Sequence, residues 1–155
     1  MKLKADQEQD AYQTLQELHL FSGCPDVALK AMVSRLEVRD VAVGKVVLMD
    51  QEIARTLYIL SKGSVGVWKR IGGEKQQLAI LEAPNFFGER SIFEESPASA
   101  MVKANERCVI YALGRAEFDQ VATQYPGIVE PIQQNMALIR QNRITPGAAP
   151  KEIPQ

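Results

Sequence analysis

A change of hydrophobic period constrains this chain more than any other feature. Between Glu37 and Leu113 the apolar residues fall in short β-type runs broken by glycine, whereas the segments on both sides carry helical spacing. A chain patterned in this way folds as mainly β structure with flanking α-helices. Residues 38–43, 45–49, 56–60, 64–70, 76–82, 99–104 and 107–113 read as strands, in a roll or sandwich of about eight. Gly44 and Gly63 punctuate the runs, and Gly72-Gly73 marks a hairpin, because paired glycines accept the positive φ angles of tight primed turns.

Before the β region, Ala11, Leu15 and Leu18 predict a helix from Asp6 to Leu20, with Asp6 and Gln9 suited to its N-terminal cap. A second helix follows Gly23, with Pro25 in its first turn and Leu29, Met32, Val33 and Leu36 on one apolar face. After Gly114, Phe118, Val121, Ala122 and Tyr125 mark a third helix. Pro126 or Pro131 opens a last one, striped by Ile132, Met136 and Ile139. That stripe suits either packing on the roll or a dimer seam, which leaves a homodimer open. The chain therefore reads as one domain over 1–143, with helices at 6–36, a roll at 37–113 and helices at 114–143. Residues 144–155, with three prolines and no apolar period, read as a flexible tail.

Several function classes are disfavoured by composition. The 155 residues suit one domain, and 18 basic against 19 acidic side chains create no field that would draw the protein onto nucleic acid. No apolar run is long enough to span a bilayer, and the first residues lack a signal-peptide core, so a cytoplasmic location is expected. Cys24 and Cys108 have no metal-site or disulfide-framework spacing and read as free thiols. The lone His19 cannot build a metal cluster. With no nucleophile–base pair and no paired carboxylates, neither an enzyme nor a cofactor is expected.

Asn85-Phe86-Phe87-Gly88-Glu89-Arg90-Ser91, between two strands, is the most unusual stretch. A glycine lets a ligand approach the backbone, and the acid after it can accept hydrogen bonds from sugar hydroxyls. Small residues at Ser91, Ser99 and Ala100 leave backbone N–H groups open to an anion. On spacing alone, a glycine turn with solvated acids beside it accounts for the same residues.

The stretch resembles the phosphate-binding cassette of cyclic nucleotide-binding domains, a family that includes bacterial catabolite activators, regulatory subunits of cyclic AMP-dependent kinase and gated channels. The similarity covers roughly Leu20 to Arg143 and takes in Leu20-Phe21, Gly44, Leu57-Tyr58-Ile59-Leu60, Gly63, Val65, Phe87-Gly88-Glu89 and Ser99-Ala100-Met101-Val102-Lys103-Ala104 in family order. It implies a double-stranded β-helix, a jelly-roll-like β-roll with N-terminal helices and C-terminal hinge helices. It also implies that Glu89 accepts the ribose 2′-hydroxyl, with Gly88 close to the sugar. The backbone near Arg90 and Ser91, with Ser99 and Ala100, would face the cyclic phosphate, and the last helix would close over the base.

Departures from the family pattern are equally specific. Ala98 stands where the family normally has an arginine paired with the phosphate, and losing one partner of such a buried pair costs about 2–5 kcal/mol. Gln51 and Pro84 occupy turns that usually hold glycine, and Arg90 replaces an apolar residue. Arg90 reads either as a displaced phosphate ligand or as a surface arginine paired with Glu94 or Glu95. Lys103, at a strand position that usually faces outward, is a weaker candidate. The resulting expectation is a stand-alone sensor that binds cyclic AMP, cyclic GMP or a different small ligand weakly and signals to a protein partner through its C-terminal helices. The alternative is a ligand-free protein-interaction module. DNA binding is not expected, because 12 residues after Arg143 are too few for a helix-turn-helix.

Overall fold

The computed structural model describes residues 2–141, and the tail expected at 144–155 lies outside them. Among the described residues, ten strands lie between two pairs of helices: β1 (Glu37–Val41), β2 (Val46–Leu48), β3 (Ile53–Ala54), β4 (Thr56–Lys62), β5 (Ser64–Ile71), β6 (Glu74–Glu82), β7 (Asn85–Phe87), β8 (Ser96–Pro97), β9 (Met101–Ala104) and β10 (Cys108–Gly114). Two four-stranded sheets have the orders β1-β10-β4-β7 and β2-β9-β5-β6, and β3 pairs with β8. Every pairing is antiparallel. Because the chain passes repeatedly from one sheet to the other, it winds into a roll, as the resemblance implies.

The first sheet is covered on both faces. Along β4, Leu57 and Ile59 belong to the core under the helices, while Tyr58 and Leu60 belong to the interior of the roll. In β10, Tyr111 and Leu113 face the helices, and Ile110 and Ala112 face inward. A strand buried on both sides must be apolar at successive positions, hence the unbroken Leu57-Tyr58-Ile59-Leu60. The second sheet covers only one face: Val65 and Val67 point into the roll, whereas Trp68 lies under the Lys103 ammonium, 5.6 Å from its ring centroid. Lys103 is thereby occupied on the outer face and takes no part in the interior.

The helices are α1 (Ala5–Glu17), α2 (Asp26–Val33), α3 (Arg115–Gln124) and α4 (Val129–Arg140), with 3-10 turns at His19–Phe21 and Pro126–Ile128. The expected Asp6 cap is displaced: Lys4 is the N-cap, and its N–H donates to Gln7 Oε1 at 2.8 Å. The first helix also ends before the expected Leu20, which lies in the 3-10 turn. Pro126 opens a 3-10 turn and Pro131 sits in the first turn of α4. Ile132 and Met136 are buried in the helical core, with Ile139 packed against it, so the apolar stripe of α4 is used within the chain. A polar seam ties α1 to the roll: Tyr111 Oη and Ser61 Oγ both donate to Asp10 Oδ2, at 2.7 and 2.6 Å. Burial, followed by this hydrogen bond to Asp10, pushes the Tyr111 phenol above its ordinary range.

Candidate functional site

The candidate ligand-binding residues and the altered position Ala98 all line one cavity of about 210 Å³, whereas Asn85 and Phe86 of the same stretch do not. Gly88, Glu89, Arg90 and Ser91 lie on one side and Ala98, Ser99 and Ala100 on another, with Leu48, Val67, Phe87 and Val102 among the apolar walls. Glu89 and Arg90 are the charged side chains of that lining.

The first half of the site is fixed by β7. Phe87 pairs with Tyr58 in the sheet and stacks on its ring, with centroids 5.0 Å apart. Gly88 then turns left-handed at φ 78°, and a Cβ there would lie 2.7 Å from the Thr56 carbonyl oxygen, so both conformation and space demand glycine. Glu89–Ile92 forms a 3-10 turn, closed by the Ser91 N–H on the Gly88 carbonyl at 3.1 Å. The Ser91 hydroxyl donates to the same oxygen. Ile92 is buried among the helices, and Phe93 meets Phe118 of α3 edge-on at 5.5 Å.

The second half hangs on the short β3–β8 pair. Ala98 N–H donates to the Glu52 carbonyl at 2.7 Å, and Gln51 N–H donates to the Ala98 carbonyl at 2.8 Å. Both backbone groups of Ala98 are therefore held by the loop containing Gln51. Gln51 itself adopts φ 69° and is the one non-glycine with positive φ among the described residues, so this turn keeps a glycine conformation without a glycine. Pro84 follows a cis bond in the turn entering β7.

Arg90 is exposed and forms no ion pair among the described residues. The expected alternative, a pair with Glu94 or Glu95, does not form: Glu95 pairs instead with Arg55 at 3.0 Å. Arg90 also borders a second groove of about 160 Å³, shared with Phe93, Glu94 and Gln133, Met136 and Arg140 of α4. The Glu89 carboxylate likewise has no hydrogen-bond or ion-pair partner among the described residues.

A family model described as "Cyclic nucleotide-binding domain" matches residues 38–125, more than half of the chain. The chain belongs to the cyclic nucleotide-binding domain family. Its similarity to the cAMP-activated global transcriptional regulator CRP of Pasteurella multocida is 38% identity over 93 residues, 59% of this chain and 44% of that protein. The structure of Thermus thermophilus Catabolite Activator Protein superposes with a TM-score of 0.68 at 26% identity, over 80% of this chain and 57% of that one. The regulatory domain of Toxoplasma gondii PKA, solved with cAMP, shares the fold with a TM-score of 0.76 at 17% identity, over 90% of this chain and 51% of that one. The chain spans about half the length, or less, of the curated relatives it matches.

Among the described residues of this cyclic nucleotide-binding domain, no helix is long and apolar enough to cross a membrane. Both cysteines are free thiols. Burial pushes Cys24 up to about 11, which makes it a poor nucleophile near neutral pH. Sequence reasoning missed the lining residues Ser96, Pro97 and Ala54, because the two-residue β3–β8 pair exists only through a long-range pairing. It also missed Lys69, whose Nζ donates to the Ser99 carbonyl at 2.9 Å. Strand alternation from Val67 offered the signal, since Lys69 lies on the same face two residues later.

Proposed function

We propose that this domain is a sensor whose cavity binds a cyclic mononucleotide weakly, or a different small ligand of similar chemistry, and signals to a protein partner through its C-terminal helices. The observation that carries this reading is the convergence of Gly88, Glu89, Ser91, Ser99 and Ala100 on one cavity, with the Glu89 carboxylate left without a partner among the described residues. A half-buried carboxylate beside a glycine turn is suited to accept hydrogen bonds from vicinal sugar hydroxyls. Ala98 in place of an arginine makes phosphate binding weak, and no catalytic step is part of this reading.

The route to the helices runs through contacts already described. The cassette turn ends in Phe93, which packs on Phe118 of α3, and Arg90 borders both the cavity and the groove beside α4. α4 is seated by Asn135, whose Nδ2 donates to the carbonyls of Leu20 and Ser22 at 3.1 and 2.8 Å. A ligand that pulls the cassette inward favours whichever seating of α3 and α4 fits the contracted turn, and the shift is limited by its differential affinity for the two states.

A thermal-shift screen of cyclic mononucleotides and related nucleotides tests the proposal, because a ligand bound only by the folded state must raise the melting temperature. A concentration-dependent rise with cyclic AMP or cyclic GMP is expected. Ala98 favours a second reading, a ligand-free docking module, and the absence of any shift across the screen would favour that reading instead.

A further inference from the structure

Lys69 is not itself a lining residue, but it sets a positive charge against the Ser99 edge of the cavity, on the side away from Arg90. Val67 of β5 lines the cavity wall, and alternation along the strand puts Lys69 on the same face. The β5–β9 ladder ends with Trp68 opposite Met101, so one further step in that register sets Lys69 opposite Ala100. Its ammonium reaches the Ser99 carbonyl at 2.9 Å, at the turn where Ala98 offers only a methyl group. Lys69 is partly buried and forms no ion pair among the described residues. The hydrogen bond to Ser99 occupies one of its three N–H donors and does not neutralise the charge.

We infer that Lys69 is the anion-recognition residue of this cavity, supplying from β5 the positive charge missing at Ala98, so that the site prefers a phosphate-bearing ligand to its neutral nucleoside counterpart. The inference rests on the proposed ligand-binding reading of the cavity. Arg90 borders the same space from the cassette side, so an anion between Ser99 and Arg90 would meet cations from two directions, with Glu89 left to the sugar. A lysine acts as a mobile point charge and not as a planar fork. It therefore confers preference for charge with little demand on phosphate geometry, in keeping with weak binding.

The test is a calorimetric titration of cyclic AMP and of adenosine into wild type, Lys69→Gln, Lys69→Arg, Ala98→Arg and the double variant Ala98→Arg with Lys69→Gln. Wild type is expected to bind cyclic AMP about tenfold or more tightly than adenosine. Lys69→Gln, which keeps a donor for Ser99, is expected to weaken that preference, leaving only the contribution of Arg90, with adenosine affinity unchanged, and Lys69→Arg to retain it. In the Ala98→Arg background the same Lys69→Gln change should have little effect, because the new guanidinium already holds the phosphate. An undiminished preference in Lys69→Gln overturns the role of Lys69 and leaves the ligand-binding reading standing. Binding by Ala98→Arg but not by wild type overturns it too, since the charge would then be absent from a competent cavity. Failure of every protein to bind either ligand overturns both.

Discussion

Asp10 and Glu89 are two incompletely exposed carboxylates with opposite surroundings. Asp10, at the seam between α1 and the roll, accepts hydrogen bonds from Tyr111 and Ser61. Glu89, at the cavity, has no partner among the described residues. The seam spends its polar groups on joining a helix to a sheet. The surroundings of the cavity leave a carboxylate, Glu89, and two cations, Arg90 and Lys69, outside any ion pair among the described residues, and hold Gln51 in a glycine conformation. One region is built for stability and the other gives stability up, which suits the proposed ligand site.

The largest effect expected from this contrast is at the seam. Asp10→Ala leaves the Tyr111 and Ser61 hydroxyls without their acceptor and should lower unfolding stability by about 2–4 kcal/mol, read by urea denaturation. Gly88→Ala should follow at about 1–3 kcal/mol, because the alanine must hold φ 78° with its Cβ against the Thr56 carbonyl; a drop below about 0.5 kcal/mol would mean the turn relaxes freely. Gln51→Gly works the other way. Releasing a non-glycine from φ 69° should raise stability by about 0.5–1 kcal/mol, and a loss would show that the Gln51 side chain contributes something the backbone does not reveal.

The effect that is smallest at neutral pH is alkaline. Burial raises both Cys24, from 9.0 to about 11, and Tyr111 above their ordinary values. The unfolded chain therefore loses these protons first, and the folded state carries more protons. That contribution to stability is full below pH 9.0 and is lost as pH rises toward about 11. Melting curves across that window should shift downward, and Cys24→Ser should flatten the lower part of the slope.

How much of this was legible in the sequence depended on how local the causes were. The cassette could be read because Gly88, Glu89 and Ser91 adjoin and their turn is closed by a hydrogen bond spanning three residues. β4 could be read because burial on both faces forces an unbroken apolar run. β3 and β8 could not, since Ile53–Ala54 becomes a strand only by meeting Ser96–Pro97. Nor could the seam, whose Tyr111 and Asp10 lie 101 residues apart. Of the two readings of Arg90, the pair with Glu94 or Glu95 does not form, because Glu95 pairs with Arg55, the residue between β3 and β4, which the β3–β8 pairing brings beside it.

Whether Glu89 holds a ligand is decided by calorimetric titration of cyclic AMP into wild type and Glu89→Ala at matched melting temperatures. Glu89 has no partner to lose within the described chain, so its removal should change unfolding stability by less than about 0.5 kcal/mol. Saturable one-site binding by wild type is expected, weakened in Glu89→Ala by about 1.5–3 kcal/mol, the worth of hydrogen bonds to a charged acceptor. Equal affinity in the two proteins, or no saturable binding by wild type, would contradict it.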